Sequence, residues 1–179
     1  MANFMELAPR AQRQIILRME PLEPPALHQA QAAYGWLELG NVEEAFTELE
    51  RLPEELQLLP AVQAVRLDCL MAAKDWNAAV KLAQVMCGQW AEEPGFWLHH
   101  AYAARRCAGG SIEAACELLA PCVERFPEEW LIPYNVACYL CQMERLEEAR
   151  AMLEMARAKG GERVDTMAKD DEDLAPLNL

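Results

Sequence analysis

Gly40-Asn41-Val42-Glu43-Glu44-Ala45, Lys74-Asp75-Trp76-Asn77-Ala78-Ala79, Gly110-Ser111-Ile112-Glu113-Ala114-Ala115 and Glu144-Arg145-Leu146-Glu147-Glu148-Ala149 are four versions of one hexad. Their last alanines stand 34, 36 and 34 residues apart. Self-similarity at such a period is the mark of one supersecondary unit stacked several times, because no single unit buries its apolar face alone. Each hexad also reads as a helix start. Asn41, Asp75 and Ser111 are side-chain acceptors for an orphan N–H of the following turn, and Asn41 with Glu44 resembles a capping box. Arg145 lacks an acceptor, so the last start is expected to fray more. Val42, Trp76, Ile112 and Leu146 open an apolar stripe that Leu49, Ala83, Leu119 and Leu153 continue two helical turns later.

Upstream of each hexad the pattern predicts another helix, over 26–39, 60–73, 95–108 and 131–143. Ala33, Leu67, Ala101 and Ala137 occupy one slot in these four segments, where a small side chain lets two helices approach; Leu67 is the bulky exception. The two extra residues of the third unit fall in Cys107-Ala108-Gly109-Gly110. Glycine costs roughly 1 kcal/mol in a helix interior, so the first helix should end there and the turn should lengthen.

A helix, a tight turn and a second helix in 34 residues resembles the tetratricopeptide repeat family, over about residues 26–158. Tyr134-Asn135-Val136-Ala137-Cys138-Tyr139-Leu140 followed by Leu146-Glu147-Glu148-Ala149-Arg150 is the nearest match. The third unit fits through Trp97, Ala101, Ala104, Ala115, Cys122 and Pro127. The first two units depart from the pattern, with Gln29 and Gln63 where the family usually has tryptophan and with Pro53 arriving early. The expected architecture is therefore all-α: a right-handed superhelix of about four helix pairs, at 26–59, 60–94, 95–129 and 130–159, with capping elements at 1–25 and 160–179.

For the N-terminal cap, Pro9 can begin a helix carrying Ile15, Ile16 and Met19, stopped by the run from Pro21 to Pro25. From Gly160 onward six acids oppose two bases, the composition of a disordered tail. Val164, Met167, Leu174 and Leu177 alternate with those charges, however, and Asp170-Asp171-Glu172-Asp173-Leu174-Ala175-Pro176-Leu177 is similar to the closing segment of some bacterial tetratricopeptide proteins. A short capping helix followed by an acidic arm is expected.

Composition narrows the function. The 179 residues are 53% hydrophobic, enough for one continuous core, and a net charge of -13 opposes binding to nucleic acid. Apolar runs fall far short of the roughly 18 residues of a membrane span, and seven unevenly spaced cysteines do not read as a disulfide framework. A cytoplasmic protein with no membrane association is expected.

Catalytic motifs are missing: there is no Gly-rich phosphate loop, no nucleophile elbow and no zinc-protease histidine pair. His28, His99 and His100 are expected at the surface or in a groove; His99 and His100 point about 100° apart on a helix and make a poor chelate. Cys138 and Cys141 have metal or redox spacing but lie inside a helix, and Cys107, Cys116 and Cys122 offer only single further ligands. No cofactor, metal or enzymatic activity is expected. From Glu38 to Glu55 seven acids face Arg51, read first as a solvated helix face and second as a patch for a basic partner.

The resemblance implies that the first helices line a concave groove, at the second, fifth, ninth, twelfth and thirteenth positions of each unit. In the first unit these include Leu27, Tyr34, Leu37 and Glu38, and in the second Asp68 and Met71. The third contributes Leu98, Tyr102, Arg105 and Arg106. The fourth contributes Leu131, Tyr134, Cys138, Cys141 and Gln142. Tyrosines supply contact area at low entropic cost and arginines hold carboxylates in paired hydrogen bonds. Replacing Arg105 and Arg106 by glutamate is expected to abolish binding with little effect on melting. Ala30 and Tyr34 stand where members that grip acidic chaperone tails carry Lys and Asn, which argues against that subtype.

The expected role is a non-catalytic adaptor that binds another protein or peptide; a homo-oligomer is compatible with the sequence. A small acidic chaperone for a secreted protein substrate is the alternative, and a metal or thiol redox protein centred on Cys138 and Cys141 is a third.

Overall fold

The computed structural model describes residues 22–178, and among them every regular element is helical. Eleven α-helices follow one another: α1 Ala26–Glu38, α2 Val42–Glu50, α3 Glu54–Gln57, α4 Pro60–Ala72, α5 Trp76–Gln89, α6 Pro94–Ala104, α7 Ile112–Leu119, α8 Cys122–Arg125, α9 Leu131–Gln142, α10 Leu146–Gly160 and α11 Glu162–Lys169. A 3-10 helix, Glu172–Leu177, closes the described chain. The capping helix expected from Pro9 lies outside the described residues.

The expected helix starts are made by the expected side chains. Asn41 Oδ1 accepts from the Glu44 N–H at 3.2 Å, Asp75 Oδ1 from Ala78 at 3.1 Å and Ser111 Oγ from Ala114 at 3.1 Å. The Asn41 backbone N–H is itself spent on the Trp36 carbonyl, 2.9 Å away, which leaves no donor there for a reciprocal bond from Glu44. That donation belongs to a turn made three times. Gly40, Lys74 and Glu144 take positive φ of 76°, 58° and 60°, and the next N–H reaches back to Trp36, Leu70 and Leu140. This left-handed C-cap closes one helix while its next residue caps the following one. Arg145 makes no such cap, as its side chain foretold; its guanidinium holds the exposed Glu148 carboxylate with bonds of 2.8 and 2.6 Å, and α10 runs for 15 residues behind it.

The third turn differs, as the insertion required. Helix α6 ends at Ala104, earlier than the sequence pattern suggests, Gly109 takes the positive φ of 76°, and the Ala108 N–H donates to Asn77 Oδ1 on α5 at 2.8 Å. Two second helices are broken by proline. Pro53 follows the end of α2 and precedes the single turn α3, while Pro121 separates α7 from α8.

Each helix packs mainly on its sequence neighbours: α1 on α2, α4 on α5, α6 on α7 and α9 on α10 within pairs, and α1 on α4, α5 on α6 and α7 on α9 between them. Equivalent positions are equally buried. Ala45, Ala79, Ala115 and Ala149 are each 0% exposed, and so are Ala33, Leu67, Ala101 and Ala137. Helix α4 joins two hydrophobic clusters: Val62, Val65 and Cys69 face the one built on α1 and α2, and Ala64, Leu67 and Met71 face the one that continues to Leu177. Both stripes keep the i, i+3, i+7 spacing of a helix face. Helix α9 is buried on nearly every side, with only Asn135 and Gln142 outside the buried set. No helix among the described residues is long and apolar enough to cross a membrane.

Candidate protein-binding groove

The expected groove positions divide into an open and a covered part. Leu27, Tyr34 and Leu37 on α1 are half-buried and Glu38 is exposed. Asp68 and Met71 on α4 and Leu98 on α6 are buried; Tyr102, Arg105 and Arg106 at the end of α6 are half-buried. On α9, Leu131, Tyr134, Cys138 and Cys141 are buried and Gln142 is exposed.

Beneath the open part a largely buried polar chain crosses three first helices. Tyr34 on α1 donates its O–H to Asp68 Oδ2 on α4 at 2.8 Å, and Asp68 Oδ1 faces His99 Nε2 on α6 at 3.5 Å. His99 Nδ1 lies 2.6 Å from the Gly95 carbonyl, which fixes a proton on Nδ1, because a carbonyl only accepts. Nε2 therefore approaches the carboxylate favourably only with a proton between them. Burial pushes the Asp68 carboxyl above its ordinary range, against the opposing pull of His99 and Tyr34. His99 is 2% exposed, a core histidine and not a surface one, because its position on α6 turns it toward α4. The solvated reading of the acidic run also fails at one position: Glu48 is buried and holds Arg51 Nη1 at 2.6 Å, with the Trp36 indole N–H at 3.4 Å.

At the end of α6 the two arginines part ways. The Arg106 guanidinium lies 3.5 Å from the Tyr102 ring centroid and 5.7 Å from that of Trp76, and its Nη1 donates to the Tyr102 carbonyl at 3.1 Å. Desolvation there lowers its pKa. Arg105 sits 5.6 Å from the Tyr139 ring centroid and donates Nη1 to Asp173 Oδ2 at 3.1 Å, with both side chains largely buried. Neither arginine is a neutral place for charge reversal. Replacing Arg105 by glutamate sets two carboxylates against each other, so the expectation of unchanged melting is corrected.

Asp173 belongs to the acidic arm, which lies on α9 and α10. Tyr134 donates its O–H to Asp171 Oδ2 at 2.9 Å, and the Cys138 thiol reaches the same oxygen at 3.7 Å. Gln142 Nε2 donates to the Asp173 carbonyl at 3.2 Å and Arg150 Nη2 to the Leu177 carbonyl at 2.9 Å. Asp171 also caps the 3-10 helix, accepting from the Asp173 N–H at 3.0 Å. Leu174 and Leu177 are each 1% exposed. Between the arm, α6 and α9 a shallow cleft with little enclosed space is lined by Tyr102, Arg105, Arg106, Asn135, Asp171 and Asp173 among others. The alternation of leucines with acids was the sequence signal for a capping segment; Arg105, Tyr134, Cys138 and Gln142 were expected groove positions, but nothing in the sequence placed the arm on them, because these residues lie 31 to 68 positions away from it.

Cys138 and Cys141 share this wall. Burial and the carboxylates of Asp171 and Asp173 push both thiols up, the reverse of what activates a nucleophile or metal ligand. All seven cysteines are unpaired by disulfides, and no group of three metal-ligating side chains occurs among the described residues. No protein-family model matches the chain, and no curated protein matches it.

Proposed function

We propose that this chain is a cytoplasmic, non-catalytic adaptor built as a tetratricopeptide-like solenoid, whose first helices bind a segment of another protein. Support for the architecture comes from equivalence between units. The left-handed turns share one bonding pattern, and Tyr34 touches Asp68 although the two occupy one slot in consecutive units, 34 residues apart. Side chains at equal slots meet only where helices lie beside one another in register, and that arrangement leaves the first helices on one face.

One observation carries the binding role. The end of α6 and the last helix pair already hold an acidic segment, the chain's own 3-10 arm, through a carboxylate on Arg105 at the end of a first helix, and through main-chain carbonyls on Gln142 of the first helix α9 and Arg150 of the second helix α10. Donors to main-chain carbonyls and a guanidinium for a carboxylate are the chemistry by which a surface reads a peptide.

The test replaces Leu27 or Gln142, on first helices, with a photo-crosslinking residue, and compares Val85 and Met155, exposed on the second helices α5 and α10. Irradiation in cells should give one shared crosslinked protein from the first pair and not from the second. Crosslinks from Val85 and Met155 alone would place the interface on the other face and end the proposal.

A further inference from the structure

We infer that the surface formed by α6, α9 and α10 is a receptor for segments of the pattern acid-x-acid-Leu-x-x-Leu, that residues 171–177 are its resident ligand, and that a partner protein carrying such a segment enters by displacing this arm. The inference rests on the adaptor reading and gives the partner its chemistry.

The seats are built by residues far away in sequence. Tyr134 and Arg105 receive the carboxylates of Asp171 and Asp173, and Leu174 and Leu177 fill the wall of α9 and α10. Gln142 and Arg150 take the carbonyls of Asp173 and Leu177, which any residue supplies. The intervening Glu172, Ala175 and Pro176 side chains are exposed, and the pattern is defined by the four positions with a seat on these helices. Charge agrees with the chemistry: in a chain of net charge -13, arginines from α6 and α10 converge on the site of one acidic segment.

The arm is also separable. Helix α11 is anchored by buried Val164 and Ala168, and the arm follows it through Asp170 alone. A six-residue 3-10 helix holds little structure by itself, so these seats keep it in place. So short a tether gives the arm an effective concentration of about millimolar or more, and a segment arriving from outside binds weakly until the arm leaves.

The experiment uses the full chain and a fluorescein-labelled peptide of residues 170–178, with binding read by anisotropy. Leu174→Ser with Leu177→Ser frees the arm and should bind the peptide at least tenfold more tightly than wild type. Asp→Asn at both peptide positions 171 and 173, or Arg105→Glu in the freed chain, should each remove that gain. A freed chain that melts cooperatively yet binds no better than wild type overturns the inference, as does binding indifferent to the peptide's aspartates. If the leucine variant does not melt cooperatively, Asp171→Asn with Asp173→Arg decides by the same criterion. A wild-type dimer that the peptide converts to monomer assigns the seat to a second copy and also overturns it. Peptide binding without any crosslinked cellular protein sinks the adaptor reading and leaves the seat standing; shared crosslinks from Leu27 without peptide binding do the reverse.

Discussion

Asp68→Asn should cost almost nothing where Asp68→Ala costs a great deal. Asp68 is 8% exposed and receives the Tyr34 O–H at 2.8 Å, with His99 Nε2 at 3.5 Å on its other oxygen. Alanine deletes both contacts. Since a hydrogen bond to a charged group contributes about 1.5–3 kcal/mol, the variant should lose about 2–3 kcal/mol in urea unfolding followed by circular dichroism. Asparagine keeps an acceptor for Tyr34 and turns an N–H toward Nε2, whose neutral form accepts it. No buried charge remains, so stability at pH 7 should lie within about 1 kcal/mol of wild type, on the favourable side. The pH dependence separates this from simple polarity. The Asp68 carboxyl is raised in the folded chain above its ordinary 3.8, chiefly by burial, so the folded state keeps a proton that the unfolded chain releases. Wild-type stability is therefore greatest at this site below 3.8 and declines as pH rises through the folded value. The advantage of Asn over Asp should grow over that window and then level. A difference flat from pH 4 to 8, or an Asn variant as damaged as the Ala one, would refute the assignment of a desolvated carboxyl.

Three further predictions follow from the turns, the core and the thiols. Lys74 and Glu144 hold the left-handed C-cap that Gly40 fills without penalty; a side chain there costs roughly 1–2 kcal/mol, partly offset by the entropy glycine loses on folding. Lys74→Gly and Glu144→Gly should each raise the urea midpoint by the equivalent of about 0.5–1 kcal/mol, and Gly40→Ala should lower it. Ala101 is 0% exposed where α6 meets its neighbours, so Ala101→Leu should overpack and cost roughly 1–3 kcal/mol; an unchanged midpoint would contradict the register. Of the seven cysteines only Cys107 escapes burial. A disulfide reagent should therefore label about one thiol rapidly in the native chain and the rest only in denaturant. Rapid labelling of Cys138 and Cys141 would reopen a redox role.

Much of the fold was legible because it is local. Asn41, Asp75 and Ser111 cap helices through their own side chains; the slots of Ala33 and Ala45 reach zero exposure at every recurrence, while Val42, Trp76, Ile112 and Leu146, which open the second stripe, are half-buried. The breaks were only partly legible. Pro53 stands early in its unit, but the break at Pro121 and the single turns α3 and α8 had no reading in the sequence, and α6 stops before its glycines. Arg145 lacks an acceptor and makes no side-chain cap, as its residue type foretold; its bond to Glu148 one turn ahead is a pairing of exposed side chains.

The site was less legible, for a reason visible in its partners. Arg105 and Asp173 are 68 residues apart and Tyr134 and Asp171 are 37 apart, distances over which no periodicity carries information. The sequence by itself determined that helices recur every 34 to 36 residues and which of their faces are apolar, because capping, propensity and amphipathic spacing act within a few residues. Only the tertiary structure decided that His99 turns inward to Asp68 and that the acidic arm lies on Arg105, Tyr134 and Arg150. Those choices depend on which polar groups lose water together, and helices from separate units settle that only after they have packed.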